Sequence, residues 1–195
     1  MLTDFIRTGT YDRRRALYKT NSPSMDILVS SNLERLLYLL SQDTDLVASL
    51  MGKLNTEGVY TVPEELLAAI QSQFWAGCCN DDQADAVIGK VWAEHHYLCD
   101  PHTAAGWAVA EDYVNQTGDR RPMVVLSTAS PYKFPAAVLS AIGGDMSGDE
   151  FRQMQRLSDL TGVAIPAPLA ALQGKAELHT GVIGKDEMLD FVLNL

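Results

Sequence analysis

The chain has 195 residues, of which 47% are hydrophobic and 21% are charged, and its formal net charge is −10. This length is sufficient for one domain with a sizeable core. The acidic balance argues against a nucleic-acid-binding face, because phosphate binding needs a concentrated basic patch. No uncharged apolar run approaches the roughly 20 residues needed to cross a bilayer, so no membrane partner is expected.

The number and spacing of the cysteines indicate whether the protein belongs to a reducing or an oxidising compartment. The chain has three cysteines, Cys78, Cys79 and Cys99, and an odd number with two adjacent members is a poor disulfide framework. Asp4 and Arg7 interrupt the first apolar residues, so no secretory signal is recognised. These features together predict a cytoplasmic protein.

Residues 1–25 are rich in glycine, proline and hydroxyl side chains, and this composition predicts an irregular segment. Short strands are predicted at 25–29 and 59–62. Apolar residues that recur with helical spacing predict a series of helices along the rest of the chain, with a loop marked by Pro166 and Pro168. The helices are expected over residues 33–40, 46–54, 63–77, 81–92, 103–116, 135–142, 149–160 and 185–193.

The run Met123–Leu126 is apolar throughout and lies between Pro122 and Pro131. Such a run predicts a strand that is buried on both faces, as in a parallel sheet. Ser127 and Thr128 follow it, at the end of a strand where ligand crevices form in α/β sheets. The predicted fold is therefore α/β, a helix-rich partial three-layer domain with a short, mostly parallel sheet. Two or three strands are too few for such a sheet to stand alone.

Two other groups of residues suggest chemistry less strongly. A set of cysteines and histidines between Cys78 and His102 lacks paired Cys-x2-Cys arms, so no metal site is predicted. The segment 143–149 is rich in glycine and aspartate, but it lacks the lysine of a phosphate loop and the acid spacing of a calcium loop. We interpret it as a helix terminator and turn. No Gly-x-Ser-x-Gly elbow is present, which argues against a serine hydrolase.

Five short segments of the chain are informative when they are taken together and in order. They are Thr8-Gly9-x-Tyr11, Ser22-Pro23-Ser24-Met25-Asp26-Ile27, Ser31-Asn32-Leu33-Glu34-Arg35, Asp100-Pro101-His102-Thr103-Ala104 and Ser127-Thr128-Ala129-Ser130-Pro131-x-Lys133-Phe134. In this order and spacing they resemble the carboxyl-terminal half of threonine synthase, a pyridoxal-phosphate enzyme. No single segment is diagnostic, and the resemblance depends on all five.

The resemblance implies a tryptophan synthase β-like fold and a parent enzyme that converts O-phosphohomoserine and water to threonine and phosphate. It also implies that residues 1–195 are the carboxyl-terminal portion of a longer chain. Residues 1–30 would form a loop and strand joining the cofactor domain, and residues 31–195 a helix-rich remainder carrying the strand 123–128. The lysine that bonds the cofactor would lie in a missing amino-terminal half, so no catalytic residue is assigned here. We expect the fragment alone to be inactive and without bound pyridoxal phosphate.

The same resemblance assigns candidate site residues. Thr128 is the first candidate, and Ser127 the second, for a hydroxyl beside the cofactor's pyridine nitrogen. Only one of the two should reach the ring, because adjacent strand residues point to opposite faces. Candidates on the substrate side are His102, Ser24, Asp26 and Lys133. Ser130 stands where many relatives carry histidine, so no role is assigned to that position.

Two other interpretations remain open. One is another β-elimination or replacement enzyme of the same fold, since the substrate pocket is not contained in these residues. The other is a non-catalytic interaction domain, which the helix-rich and acidic sequence permits. An upstream coding segment with a lysine and a glycine-rich loop would favour the enzyme fragment, whereas a reading frame of about this length would favour the interaction domain.

Overall fold

The structure is a computed structural model and describes residues 1–194. Helices predominate, and turns of 3-10 helix occur at Pro23–Met25, Pro131–Lys133 and Lys185–Glu187. In chain order the elements are α1 (Leu2–Thr8), β1 (Thr10–Asp12), α2 (Leu33–Ser41), α3 (Thr44–Thr56), β2 (Val59–Thr61), α4 (Glu64–Gln71), α5 (Asp81–His95), α6 (Pro101–Thr117), α7 (Pro135–Ala141), α8 (Glu150–Thr161), α9 (Ala167–Ala170) and α10 (Met188–Leu193).

The first core cluster surrounds the two strands. β1 and β2 pair antiparallel, with Tyr11 opposite Tyr60, and their rings stack with centroids 5.3 Å apart. Phe5 of α1 packs edge-on against both rings. Apolar residues of α2, α3 and α4 complete this cluster, so residues on both sides of position 30 share one core.

The second core cluster is built from α5, α6, α7 and α8. Asn80 begins α5 with a capping box, in which its side chain accepts from Gln83 N and Gln83 bonds back to Asn80 N. Gly89 lets α5 approach α7 closely, because a Cβ at this position would lie 2.9 Å from the carbonyl oxygen of Ala141. The cluster thereby fixes the start of α6, where the predicted site residue His102 lies.

The α/β class and the predicted helices are confirmed, including the helix close to the carboxyl terminus. Three local predictions are wrong. Residues 1–25, predicted as irregular, contain α1 and β1, and the strand predicted at 25–29 is replaced by the 3-10 turn Pro23–Met25 and an irregular stretch. The predicted loop around Pro166 and Pro168 includes the short helix α9, since proline is tolerated in a first helical turn.

The strands of the sheet run antiparallel, whereas a mostly parallel sheet was predicted. Among residues 1–194 the sheet consists of the antiparallel pair β1–β2 rather than parallel strands. The predicted strand 123–128 has no regular secondary structure and is unpaired, with no backbone hydrogen bond for 123–126 among the described residues. It is also not buried on both faces, because Val124 is 80% and Leu126 75% exposed. A strand needs a neighbouring strand, and the described part of the chain supplies none here.

The last part of the described chain lies outside both core clusters. Every residue from Ala170 to Asn194 is exposed, and α10 exposes apolar side chains such as Leu189 and Val192. Apart from Asp190 its residues are apolar, yet none of them is buried by the rest of residues 1–194. No helix in this range combines the length and apolar character that a membrane-spanning segment requires.

Candidate functional site

The start of α6 is organised by the buried carboxylate of Asp100. Asp100 is the N-cap residue in extended conformation, and its Oδ1 accepts from the backbone N–H of His102 at 2.9 Å. The same oxygen lies 2.9 Å from Nδ1 of His102, and Oδ2 accepts from the hydroxyl of Thr103. Pro101 at the first helical position has no N–H to satisfy. The carboxylate therefore holds both the helix end and the imidazole ring.

His102 is held in one orientation by this carboxylate. Its side chain is 8% exposed, and its ring packs against Phe134 with centroids 4.8 Å apart. Because an ionised carboxylate only accepts hydrogen bonds, Nδ1 carries the proton in this pair. Nε2 is buried and has no hydrogen-bond partner among residues 1–194. The ring thus presents one unsatisfied nitrogen.

His102 forms part of the wall of a cleft of about 710 Å³, which we call cleft A. Its other walls come from residues 15–28, residues 77–81 and the following turns of α6. Asp26 also lies in this wall, and its carboxylate accepts from the backbone N–H and the hydroxyl of Thr20 at 2.7 and 2.8 Å. The structure therefore brings Asp26 and His102 to one cleft. Ser24 lies beside it, exposed on the turn Pro23–Met25.

Ser127 lines a cleft and Thr128 does not, although both belong to the stretch Met123–Thr128, which we call the surface run. Met123, Val125 and Ser127 face a second cleft of about 640 Å³ between this stretch, α5 and α6, which we call cleft B. Ser127 Oγ accepts from the hydroxyl of Tyr97 at 2.9 Å. Val124, Leu126 and Thr128 are exposed and lie outside that wall. The alternation is that of a strand with one open face.

Lys133 does not join either cleft. It is exposed on the turn Pro131–Lys133, which is anchored by the buried ring of Tyr132, whose hydroxyl donates to the carbonyl of Val163. Ser130, to which no role was assigned, caps this turn by accepting from Tyr132 N at 3.3 Å. The predicted site residues thus fall into three places: cleft A, the surface run and the exposed turn.

The described residues do not provide a complete site for pyridoxal phosphate. Every lysine in the chain is exposed, and none lines cleft A. Lys90 lines cleft B, but its ammonium group is engaged in a hydrogen bond to Glu111 at 2.8 Å, which raises its pKa. What residues 1–194 do offer is an exposed hydroxyl at Thr128 and an unsatisfied nitrogen at His102.

Sequence reasoning missed the role of Asp100. The predicted helix began at Thr103, whereas aspartate followed by proline at the start of a helical pattern is a signature of a capped helix. The contact of Tyr97 with Ser127 and that of Phe134 with His102 join residues about 30 positions apart. No local pattern in the sequence signals either contact.

The three thiols should differ in reactivity. Burial, and next the nearby charge of Asp100, raises the pKa of Cys99 to about 11, while Cys78 is exposed. Since the thiolate is the nucleophile, an aromatic disulfide reagent at pH 8 should modify Cys78 quickly and Cys99 only in denaturant. Burial also raises the pKa of Cys79, which should react more slowly than Cys78.

The absorbance of the chromophore released by the reagent measures how fast each thiol reacts. A Cys78→Ser variant, which should lose the fastest reaction, is the control. Rapid modification of all three thiols in the folded chain would contradict it.

The raised pKa of Cys99 also makes the stability of the fold depend on pH. The stabilisation from the protonated Cys99 is complete below the ordinary thiol pKa and declines as pH rises from there to about 11.

Comparison with known proteins identifies a matching family and several relatives of this chain. Residues 103–182 match the family described as "Threonine synthase, C-terminal". The human protein "Threonine synthase-like 1" is 38% identical over 144 residues, covering 73% of this chain and 19% of its own length. Threonine synthase of Saccharomyces cerevisiae is 31% identical over 159 residues, covering 74% of this chain and 31% of its own.

Two solved structures share the fold. Pyridoxal-phosphate-bound threonine synthase from Brucella melitensis matches with a TM-score of 0.69 and 40% identity, over 80% of this chain and 33% of the other. Yeast threonine synthase matches with a TM-score of 0.70 and 29% identity, over 81% of this chain and 35% of the other. The chain therefore spans about a third or less of the length of these relatives.

Proposed function

This chain is a homologue of the carboxyl-terminal region of threonine synthases, and from this premise we propose that it forms one part of a pyridoxal-phosphate-dependent lyase. The proposed reaction is the conversion of O-phosphohomoserine and water to threonine and phosphate. We propose that the chain alone is inactive and that its partner is an amino-terminal portion carrying the lysine that bonds the cofactor. The three free thiols favour a reducing compartment, and we propose the cytoplasm.

The surface run is the observation that carries this proposal. Its backbone is unpaired, and Val124 and Leu126 expose apolar side chains that a neighbouring segment would cover. One side of the run already packs on α6, where Val125 Cγ1 would lie 3.6 Å from a Cβ built on Gly106. A neighbouring strand from the amino-terminal portion would satisfy the backbone groups and cover the exposed side.

The same arrangement supports a cofactor-binding role for Thr128. It is exposed at the end of the surface run, outside the cleft wall that Ser127 lines. When bound, pyridoxal phosphate serves as an electron sink for a carbanion formed next to its imine. We propose that the Thr128 hydroxyl forms a hydrogen bond with the pyridine nitrogen. The Ser127 hydroxyl already accepts a hydrogen bond from Tyr97. His102 and Asp26 would border the substrate from cleft A, whereas Ser24 and Lys133 have no position in the structure that favours such a role.

A chimeric enzyme tests this function. We would replace the matching third of Brucella melitensis threonine synthase by residues 1–195 and measure phosphate release from O-phosphohomoserine. We expect the chimera to show the absorbance of bound cofactor and to form threonine. The chain alone, mixed with pyridoxal phosphate, should show neither.

Matched variants locate the contact. Val124→Asp in the surface run should abolish cofactor absorbance in the chimera, because it places a charge in the face that must be covered. Leu39→Asp, on the exposed side of α2, should leave the absorbance unchanged. A chimera that binds cofactor but acts only on another β-substituted amino acid would favour the second enzyme interpretation. Turnover by the chain alone would contradict the proposed partner.

A further inference from the structure

The pair Asp100–His102 leaves one nitrogen without a partner. A buried acceptor without a hydrogen bond costs free energy, and native proteins rarely tolerate one without a reason. Here Nδ1 is occupied by the Asp100 carboxylate, and Nε2 finds no partner among residues 1–194. The side chain is more than nine-tenths buried and forms part of the wall of cleft A.

The carboxylate of Asp100 fixes which nitrogen is left over. Because it accepts from both the N–H and the Nδ1–H of His102 at 2.9 Å, the ring carries a proton on Nδ1. No acceptor for a second proton lies beside Nε2 among residues 1–194, so this nitrogen carries a lone pair. Phe134 packs on the ring and prevents it from rotating freely. Nε2 is thereby held as an acceptor in a constant position.

The surroundings indicate what an occupant would supply. The other charged side chains in the wall of cleft A are the carboxylates of Asp26 and Asp81 and the guanidinium of Arg15. Arg15 is already paired with Asp4 at 2.9 Å. The two carboxylates accept from Thr20 and Asn21 but keep further acceptor positions. The side chains of this wall therefore favour a ligand with hydrogen-bond donors over an anion.

We infer that Nε2 of His102 is a binding contact for a hydroxyl or ammonium group of a small molecule in cleft A, and that Asp100 acts as its positioning residue. The inference deepens the proposed function and rests on it for the identity of the natural ligand, an amino-acid substrate. Nε2 is closed to water in the structure, so the ligand must displace part of the wall. One wall of cleft A, residues 15–28, is a mostly exposed segment, and Asn21 N of this segment donates to Asp81 Oδ1 of α5 at 3.1 Å.

Nuclear magnetic resonance of the whole chain, labelled with ¹⁵N at histidine, tests this without enzyme activity. Long-range ¹H–¹⁵N spectra should show His102 protonated on Nδ1 and bare on Nε2. L-Homoserine, which has both an ammonium and a hydroxyl group, should shift the Nε2 signal in a saturable manner. Sulfate, which only accepts, should not. His95, exposed near the end of α5, should respond to neither probe.

Variants separate binding from structure. His102→Gln keeps an acceptor and should bind L-homoserine within about fivefold of the unchanged chain, whereas His102→Phe should weaken binding at least tenfold. His95→Phe is the matched control. A proton on Nε2, a shift caused by sulfate, or no saturable shift with L-homoserine would overturn the inference.

The two proposals can fail separately. An inactive chimera, together with the expected His102 response in the chain, would reject the enzyme but keep the contact. An active chimera in which His102→Phe leaves kcat and KM unchanged would reject the contact but keep the enzyme.

Discussion

Replacing Phe5 by alanine should lower the free energy of unfolding by about 3–5 kcal/mol, the usual cost of removing a buried aromatic ring from a core. Phe5 is fully buried. Its ring meets those of Tyr11 and Tyr60 edge-on, at centroid distances of 5.8 and 6.0 Å. Deletion would leave a cavity beneath the β1–β2 pair and remove the main anchor of α1. Urea-induced unfolding followed by circular dichroism measures the change.

Two variants act as controls for this experiment. Phe5→Leu keeps most of the apolar volume and should cost about 1 kcal/mol. Leu39→Ala removes an exposed apolar side chain from α2 and should stay within about 0.5 kcal/mol of the unchanged chain. If Phe5→Ala cost no more than Leu39→Ala, α1 would not belong to the core described above.

Phe5 also illustrates which kind of element cannot be predicted from a local sequence pattern. The helices with a long apolar stripe were predicted well, because the spacing of residues such as Leu33 and Leu37 records a buried face directly. α1 has seven residues and one buried side chain. It is held by contacts with Tyr60, more than fifty positions away. A local pattern cannot contain such a partner, so the segment was predicted as irregular.

The surface run illustrates the opposite error. Its composition is that of a buried strand, and its alternation in the structure is also that of a strand. Pairing and burial, however, are properties of two segments, and the described chain supplies only one. The same limit applies to the candidate site. The sequence identified His102 and Thr128 as residues of interest, but the lone pair on Nε2 depends on the orientation of Asp100 and on Phe134.

Replacing Asp100 by alanine should lower the free energy of unfolding by about 2–4 kcal/mol. Asp100 is fully buried, and its carboxylate accepts from His102 N, His102 Nδ1 and the Thr103 hydroxyl. Alanine would leave three buried donors without an acceptor and α6 without its cap, and hydrogen bonds to a charged acceptor contribute more than neutral ones. Asp100→Asn keeps a capping oxygen and should cost less, about 1–2 kcal/mol.

Asp149→Ala provides the matched control for the cap alone. Asp149 caps α8 by accepting from Arg152 N at 2.9 Å, but it is exposed, so its loss should cost about 1 kcal/mol. The excess cost at Asp100 over Asp149, measured by urea unfolding, then reports the buried bonds to His102 and Thr103. Equal costs would mean that Asp100 only ends a helix. A clear excess would mean that the protein uses a buried charge to hold one imidazole ring, and a ring held this firmly with a free nitrogen is prepared for a partner that residues 1–194 do not contain.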